Sequence, residues 1–174
     1  MAESSAEVIK RYVADAIAGA KSLEARLQEF SKEETSKAIS AAFHQHALKT
    51  KDQGERLTDR LNSLEGNAPF TRGFLAYIFG LSSKHASPGN EKEENTAQKL
   101  TSVYAAESSA VAVYESLATM GEAAGDTDTM QLARSIQSEQ QAMAQEIWNL
   151  LPVAALELYQ QTTGEPVSGR TAGA

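Results

Sequence analysis

The sequence predicts an all-α fold, an antiparallel four-helix bundle built as one domain, on three observations. Only four prolines occur, at positions 69, 88, 152 and 166. The long stretches between them are rich in Ala, Glu, Lys, Gln and Leu, residues that lose little side-chain freedom in a helix. Within those stretches apolar residues recur at spacings of three and four, the signature of a helix with one buried face.

The elements follow in order from their end signals. Ser4 with Glu7 and Ser31 with Glu34 have the S-x-x-E spacing of a capping box, in which hydroxyl and carboxylate satisfy free amides at a helix start. They predict a first helix over 5–30 and a second over 32–64. Asn90 with Glu93 opens a third over 91–125, and the GDTDT segment supplies a turn and an N-cap for a fourth over 128–151, which Pro152 should end or kink. The domain is thus expected to span 1–163, with 164–174 (GEPVSGRTAGA) as a flexible tail without a core pattern. The first two helices, and the last two, are joined by short turns, whereas residues 66–90 form a long crossover. One long crossover between two hairpins is the ferritin-like arrangement. The crossover carries FTRGFLAYIFGL, a short apolar helix read as a lid on the bundle or a self-association surface, and alternatively as a ligand-gripping element.

Composition limits the function. A net charge of -7 and a pI near 5.0 argue against nucleic acid, whose phosphates need a basic surface, and against an anionic membrane surface. Without cysteine there is no disulfide framework, thiolate metal site or cysteine nucleophile, so any metal would rest on carboxylate and imidazole. The N-terminus lacks the order of a signal peptide, and no apolar run approaches the roughly 20 residues that span a bilayer. A cytoplasmic protein is the expectation.

The informative residues interrupt the apolar stripes at mid-length. In the second helix the stripe Ile39, Phe43, His46, Thr50, Gln53, Leu57, Leu61 has three polar groups at its centre. The third reads Leu100, Val103, Glu107, Val111, Tyr114, Leu117, and the fourth Leu132, Ile136, Glu139, Met143, Ile147, Leu150, each with one carboxylate. The first helix has Ala20 at the matching level and Glu24 one turn on. A buried ionised carboxylate is costly, so Glu107 and Glu139 at one level call for a metal, a cationic partner or a shared proton. Alternatively both sit on stripe edges and reach solvent.

The segment FHQHALKTKDQGERL contains two of the three histidines. Each helical residue turns the chain by about 100°, so His44 and His46 diverge and cannot chelate one ion together. His46 is expected to face inward and His44 outward; an inward histidine is more often a hydrogen-bonded core residue than a ligand. Lys49 stands beside His46, where a metal site would want another acid. His85 falls in the crossover and shows no partner. Tyr104 and Tyr114, near Glu107, read as core residues with a bonded hydroxyl rather than as redox tyrosines.

The segments AAFHQHALKTKDQGERL, YAAESSAVAVYESLATMGEAAGD and IQSEQQAMAQEIW resemble the YciE/YciF-type ferritin-like proteins over roughly residues 8 to 150, and GFLAYIFGL fits a branch of that family. The resemblance implies a stress-associated protein, a dinuclear iron-type site between the helices and a homodimer, with no assigned reaction. Carried over residue by residue, that site is depleted. Ala20 and Lys49 stand where the family tends to have glutamates, and Ala110 stands where a second acid of the third helix is common. Glu107, Glu139 and His46 remain.

Two functional expectations follow. In the first, the dinuclear centre is vacant, no cofactor is bound, and the protein has a structural, stress-related or interaction role, with Lys49 replacing the metal charge by pairing with Glu107 or Glu139. In the second, Glu24 replaces the missing acid, and Glu24, His46, Glu107 and Glu139 hold one iron or manganese ion, with oxidase-type activity. A hydrolase or transferase has little support: H-E-x-x-H, G-x-S-x-G and the nucleotide-binding glycine motifs are missing. The balance is against an enzyme, and for a homodimer with room for a further protein partner.

Overall fold

The computed structural model describes residues 3–64 and 95–165. Four long helices form it: α1, Ser5–Glu33; α2, Lys37–Ser63; α3, Asn95–Ala123; and α4, Thr127–Thr163. Neither the Asn90/Glu93 cap nor the apolar crossover helix lies within the described residues. α1 packs along α2 and α3 along α4, and the two hairpins meet through narrower α1–α3 and α2–α4 contacts.

The first capping box forms: the Ser4 amide donates to Glu7 Oε2 at 2.8 Å and the Glu7 amide to Ser4 Oγ at 3.3 Å. The second does not. Ser31 lies within the last turn of α1, its hydroxyl donating to the Gln28 carbonyl, and α2 is capped at Ser36 without a side-chain bond. Phe30, ring against Phe43 at 5.8 Å and under the Lys99 ammonium, packs this end of α1 against the core and favours one more helical turn over a cap at Ser31. Between α3 and α4, Gly125 adopts φ 71°, which glycine reaches without the Cβ penalty. Asp126 then caps α4 by accepting from the Thr129 amide at 3.0 Å. Arg60 of α2 secures this turn, donating to Asp126 Oδ1 at 2.6 Å and Thr129 Oγ1 at 2.8 Å.

Pro152 does not end α4, which continues to Thr163 and closes at left-handed Gly164. Proline removes one hydrogen bond and crowds the preceding turn; Ala154, buried in the core two residues later with Leu150 and Leu151 packed beside it, gives the continuing helix a compensating interface.

Two apolar clusters fill the ends of the bundle. One joins Ile9 and Val13 to Leu57, Leu117 and Ile136; the other joins Leu27, Ile39 and Phe43 to Leu100, Val103 and Ile147. Their membership fixes helix direction: α1 and α4 run one way, α2 and α3 the other. Between the clusters lies a polar layer.

Candidate functional site: a buried imidazole between two carboxylates

Buried polar side chains gather at mid-bundle: His46, Thr50 and Gln53 from α2, Glu107 from α3 and Gln140 from α4, each at most 1% exposed. The spacing of 46, 50 and 53 places the three α2 groups on one face, and His46 points inward while His44 is exposed.

They form two rows across the helices. In the first, His46 Nδ1 lies 2.8 Å from Glu107 Oε1 and His46 Nε2 lies 2.7 Å from Glu146 Oε2. Lys49 Nζ adds a longer ion pair, 3.6 Å, to the other oxygen of Glu146. In the second, Glu139 Oε2 accepts from Arg56 Nη2 at 2.5 Å and from Gln53 Nε2 at 2.9 Å. Gln53 Oε1 in turn accepts from Gln140 Nε2 at 2.7 Å.

The electrostatics follow from this geometry. Burial works against a charged His46, but the carboxylates of Glu107 and Glu146 outweigh it and hold the imidazole above its usual range. Burial pushes the Glu107 carboxyl up, and His46 only partly offsets that. The two therefore compete for one proton: as imidazolium and carboxylate, or as neutral imidazole and carboxylic acid, the pair carries no net charge. The hydrogen bond from His46, and Lys49 nearby, hold Glu146 below the usual carboxylate range. Burial opposes ionisation of Glu139, yet Arg56 and Gln53 prevail and its carboxyl is lowered.

Several sequence expectations change. Glu107 is fully buried, but Glu139 sits at the edge of its stripe with its side chain 36% exposed, and Gln140 takes the core position. Lys49 does not pair with Glu107 or Glu139: it stands at the rim, 46% exposed, beside Glu146. The cation on Glu139 is Arg56, and the partner of Glu107 is His46. Glu24 does not join the others; it accepts from Gln28 on its own helix at 2.9 Å. Sequence reasoning missed Glu146, Arg56 and Gln140. Glu146 had a signal, since it lies seven residues after Glu139 and so near the same face. Arg56, three residues after Gln53, had a similar one.

The donor set does not fit a dinuclear metal group. Both ring nitrogens of His46 are engaged by carboxylates, Glu139 is held by a guanidinium, and amides occupy the neighbouring core positions. Ala20 faces α2 at Gly54, where a methyl group would make an ordinary 3.6 Å contact with the Ala20 Cβ, and it brings no ligand atom to this level of the bundle. Among the described residues no three His, Asp or Glu side chains are arranged to hold an ion.

The fold and site define an all-α bundle protein with a charge-balanced polar layer at its centre. The chain matches a domain family of unknown function, DUF892, over residues 6–160. It belongs to that family, and the solved structures are consistent with the YciE/YciF type. Solved structures share the bundle. A protein from Xanthomonas campestris pv. campestris is 18% identical with a TM-score of 0.74, covering 91% of this chain and 97% of its own. The Escherichia coli stress protein YciF is 22% identical with a TM-score of 0.72, covering 88% and 98%. YcfI of Rhodopseudomonas palustris, for which a structural role has been suggested, is 18% identical with a TM-score of 0.71, covering 83% and 93%. No curated protein matches.

Proposed function

We propose that this protein is a ferritin-like bundle whose dinuclear carboxylate centre has degenerated into a salt-bridged core, and that its role is structural or interactive, in stress, rather than catalytic. One observation carries this reading: His46, with no exposure, has each ring nitrogen on a carboxylate, and with Lys49 beside Glu146 and Arg56 on Glu139 the polar layer is neutral without an added cation. The parallel course of α2 and α3 supports the single long crossover of the ferritin-like arrangement. The stress and structural descriptions of two similar structures are in keeping with the role. No described helix is long and apolar enough to cross a membrane, which fits a cytoplasmic location. A homodimer belongs to the same reading, and Trp148, Val153, Leu156 and Tyr159, each at least 40% exposed on α4, supply apolar surface for a second copy.

The second reading, a single iron or manganese ion in a reduced site, draws on Glu107 Oε2, a buried carboxylate oxygen with no hydrogen-bond partner. An ion there would meet Oε2 alone, and to gain His46 as a second ligand it would have to displace Glu107 Oε1 or Glu146 Oε2 from a ring nitrogen.

Elemental analysis of protein expressed in iron- or manganese-supplemented medium separates the two. The structural reading expects substoichiometric metal and a melting temperature indifferent to chelator. A stoichiometric ion that disappears in Glu107→Ala would overturn it.

A further inference from the structure

A second mid-bundle feature is independent of the His46 row. Between the two hairpins is a small, partly open cavity lined by Ala16, Gly19 and Ala20 of α1, Ala110 and Tyr114 of α3, and Gln140 of α4. Small side chains on both walls leave a space of about 10 Å³ for the centre of a water-sized body, about what a single water requires. Gln140 is 1% exposed. Its amide nitrogen is used by Gln53, but its Oε1 is buried and has no hydrogen-bond partner. An acceptor left so in a protein interior costs free energy unless something donates to it.

We propose that this cavity is a built site for one small neutral hydrogen-bond donor, an ordered internal water that donates to Gln140 Oε1. The lining decides the class of occupant. A cation would find walls of alanine, glycine, Leu23 and Val113 and no carboxylate to balance it, and an anion would face the lone pairs of an amide oxygen. A larger organic molecule exceeds the space. Water fits the volume, supplies the missing donor, and completes the chain of hydrogen bonds from Gln140 through Gln53 to Glu139 and Arg56. The amide of Gln140 thereby becomes a fixed crosspiece between the hairpins.

The test uses isotope-labelled full-length protein and water itself as the probe. Slow-tumbling water-to-methyl NOE cross-peaks are expected at Ala16, Ala20 and Ala110, and they should persist in Tyr114→Phe, which removes a hydroxyl able to relay water magnetisation. Ala110→Val fills the cavity: the cross-peaks at Ala16 and Ala20 should vanish and the melting temperature should fall, whereas Ala110→Ser, which brings its own hydroxyl, should melt closer to wild type than Ala110→Val does. Wild-type protein without these cross-peaks would overturn the proposal. So would their survival in Ala110→Val, or a rise in melting temperature in that variant, the response of a dry void being filled.

Discussion

The imidazole between two carboxylates makes a quantitative prediction about stability. Glu107 is fully buried, one of its oxygens has no partner, and the other rests on His46. His46→Leu removes that support and leaves the carboxyl either ionised in an apolar setting or forced to take up a proton. Breaking one side of a buried pair costs about 3–5 kcal/mol, because the surviving charge is uncompensated. With a urea m-value of about 2 kcal/mol/M for a domain of this size, the unfolding midpoint should drop by about 2 M at neutral pH. Replacing both partners by apolar groups removes the desolvation problem, so His46→Leu/Glu107→Leu should recover most of the loss. A coupling energy of about 2 kcal/mol or more between the two sites is therefore expected, from urea titrations followed by circular dichroism at unchanged m. Additivity of the two single variants within about 0.5 kcal/mol would refute the reasoning.

The same pair predicts a pH profile. His46 is held above its ordinary 6.5, so its contribution is complete below that value and is lost as pH rises through the raised folded value; the burial-raised Glu107 gives a slope of the same sign above its ordinary 4.5. Glu139 and Glu146, both lowered from 4.5, contribute above that value and lose their contribution as pH falls through the lowered ones. Thermal melts should show greatest stability in the mildly acidic range, and His46→Gln should flatten the alkaline limb; an unchanged limb would mean that the imidazole titrates as it does in the unfolded chain. Two helical glycines should respond with opposite signs. A methyl on Gly54 meets Ala20 Cβ at an ordinary 3.6 Å, so Gly54→Ala should stabilise by about 0.5–1 kcal/mol through helix propensity alone. A methyl on Gly121 would lie 2.9 Å from the Met130 backbone nitrogen, where α3 and α4 meet, so Gly121→Ala should destabilise by at least about 1 kcal/mol; equal effects in chemical denaturation would contradict the close approach.

Much of this was legible in the sequence, for definite reasons. The four helices and the inward His46 and Glu107 follow from three-to-four spacing, because a buried face leaves a pattern whichever neighbour covers it. The α4 register was less legible. Leu132, Ile136, Met143 and Ile147 define a face on which Glu139 and Gln140 compete, and both are polar. Ala133, Ala144 and Thr129 decided for Gln140: small groups let α3 and α4 approach closely, and such residues barely register in a hydrophobic stripe. The partners of the acids were hidden for another reason. Arg56 reaches Glu139 through a long side chain from the flank of α2, so its place on the helical wheel does not reveal what its guanidinium touches. The cap at Ser31 did not form and Pro152, expected to end or kink its helix, did not end it, because local end signals are weak beside tertiary packing, here Phe30 on Phe43 at one site and Ala154 in the core at the other.

The three cations of the polar layer are graded by depth, and the grading accounts for the sequence expectation that failed. Lys49, a compact and strongly hydrated ammonium, stays at the rim with its side chain 46% exposed. Arg56, whose planar guanidinium is more weakly hydrated and can serve several acceptors, sits deeper at 31% and reaches both Glu139 and Asp52. Only histidine occupies the fully enclosed position, because it alone can face a buried carboxylate in either protonation state at modest cost. A lysine placed at that depth would have to give up its hydration or its proton. Each row is consequently neutral: Lys49 balances Glu146, Arg56 balances Glu139, and His46 and Glu107 divide one proton. A bound divalent ion would disturb that balance, and beyond the unpartnered Glu107 Oε2 it would have to displace an existing hydrogen bond or ion pair at the His46 nitrogens and at the Glu139 and Glu146 carboxylates.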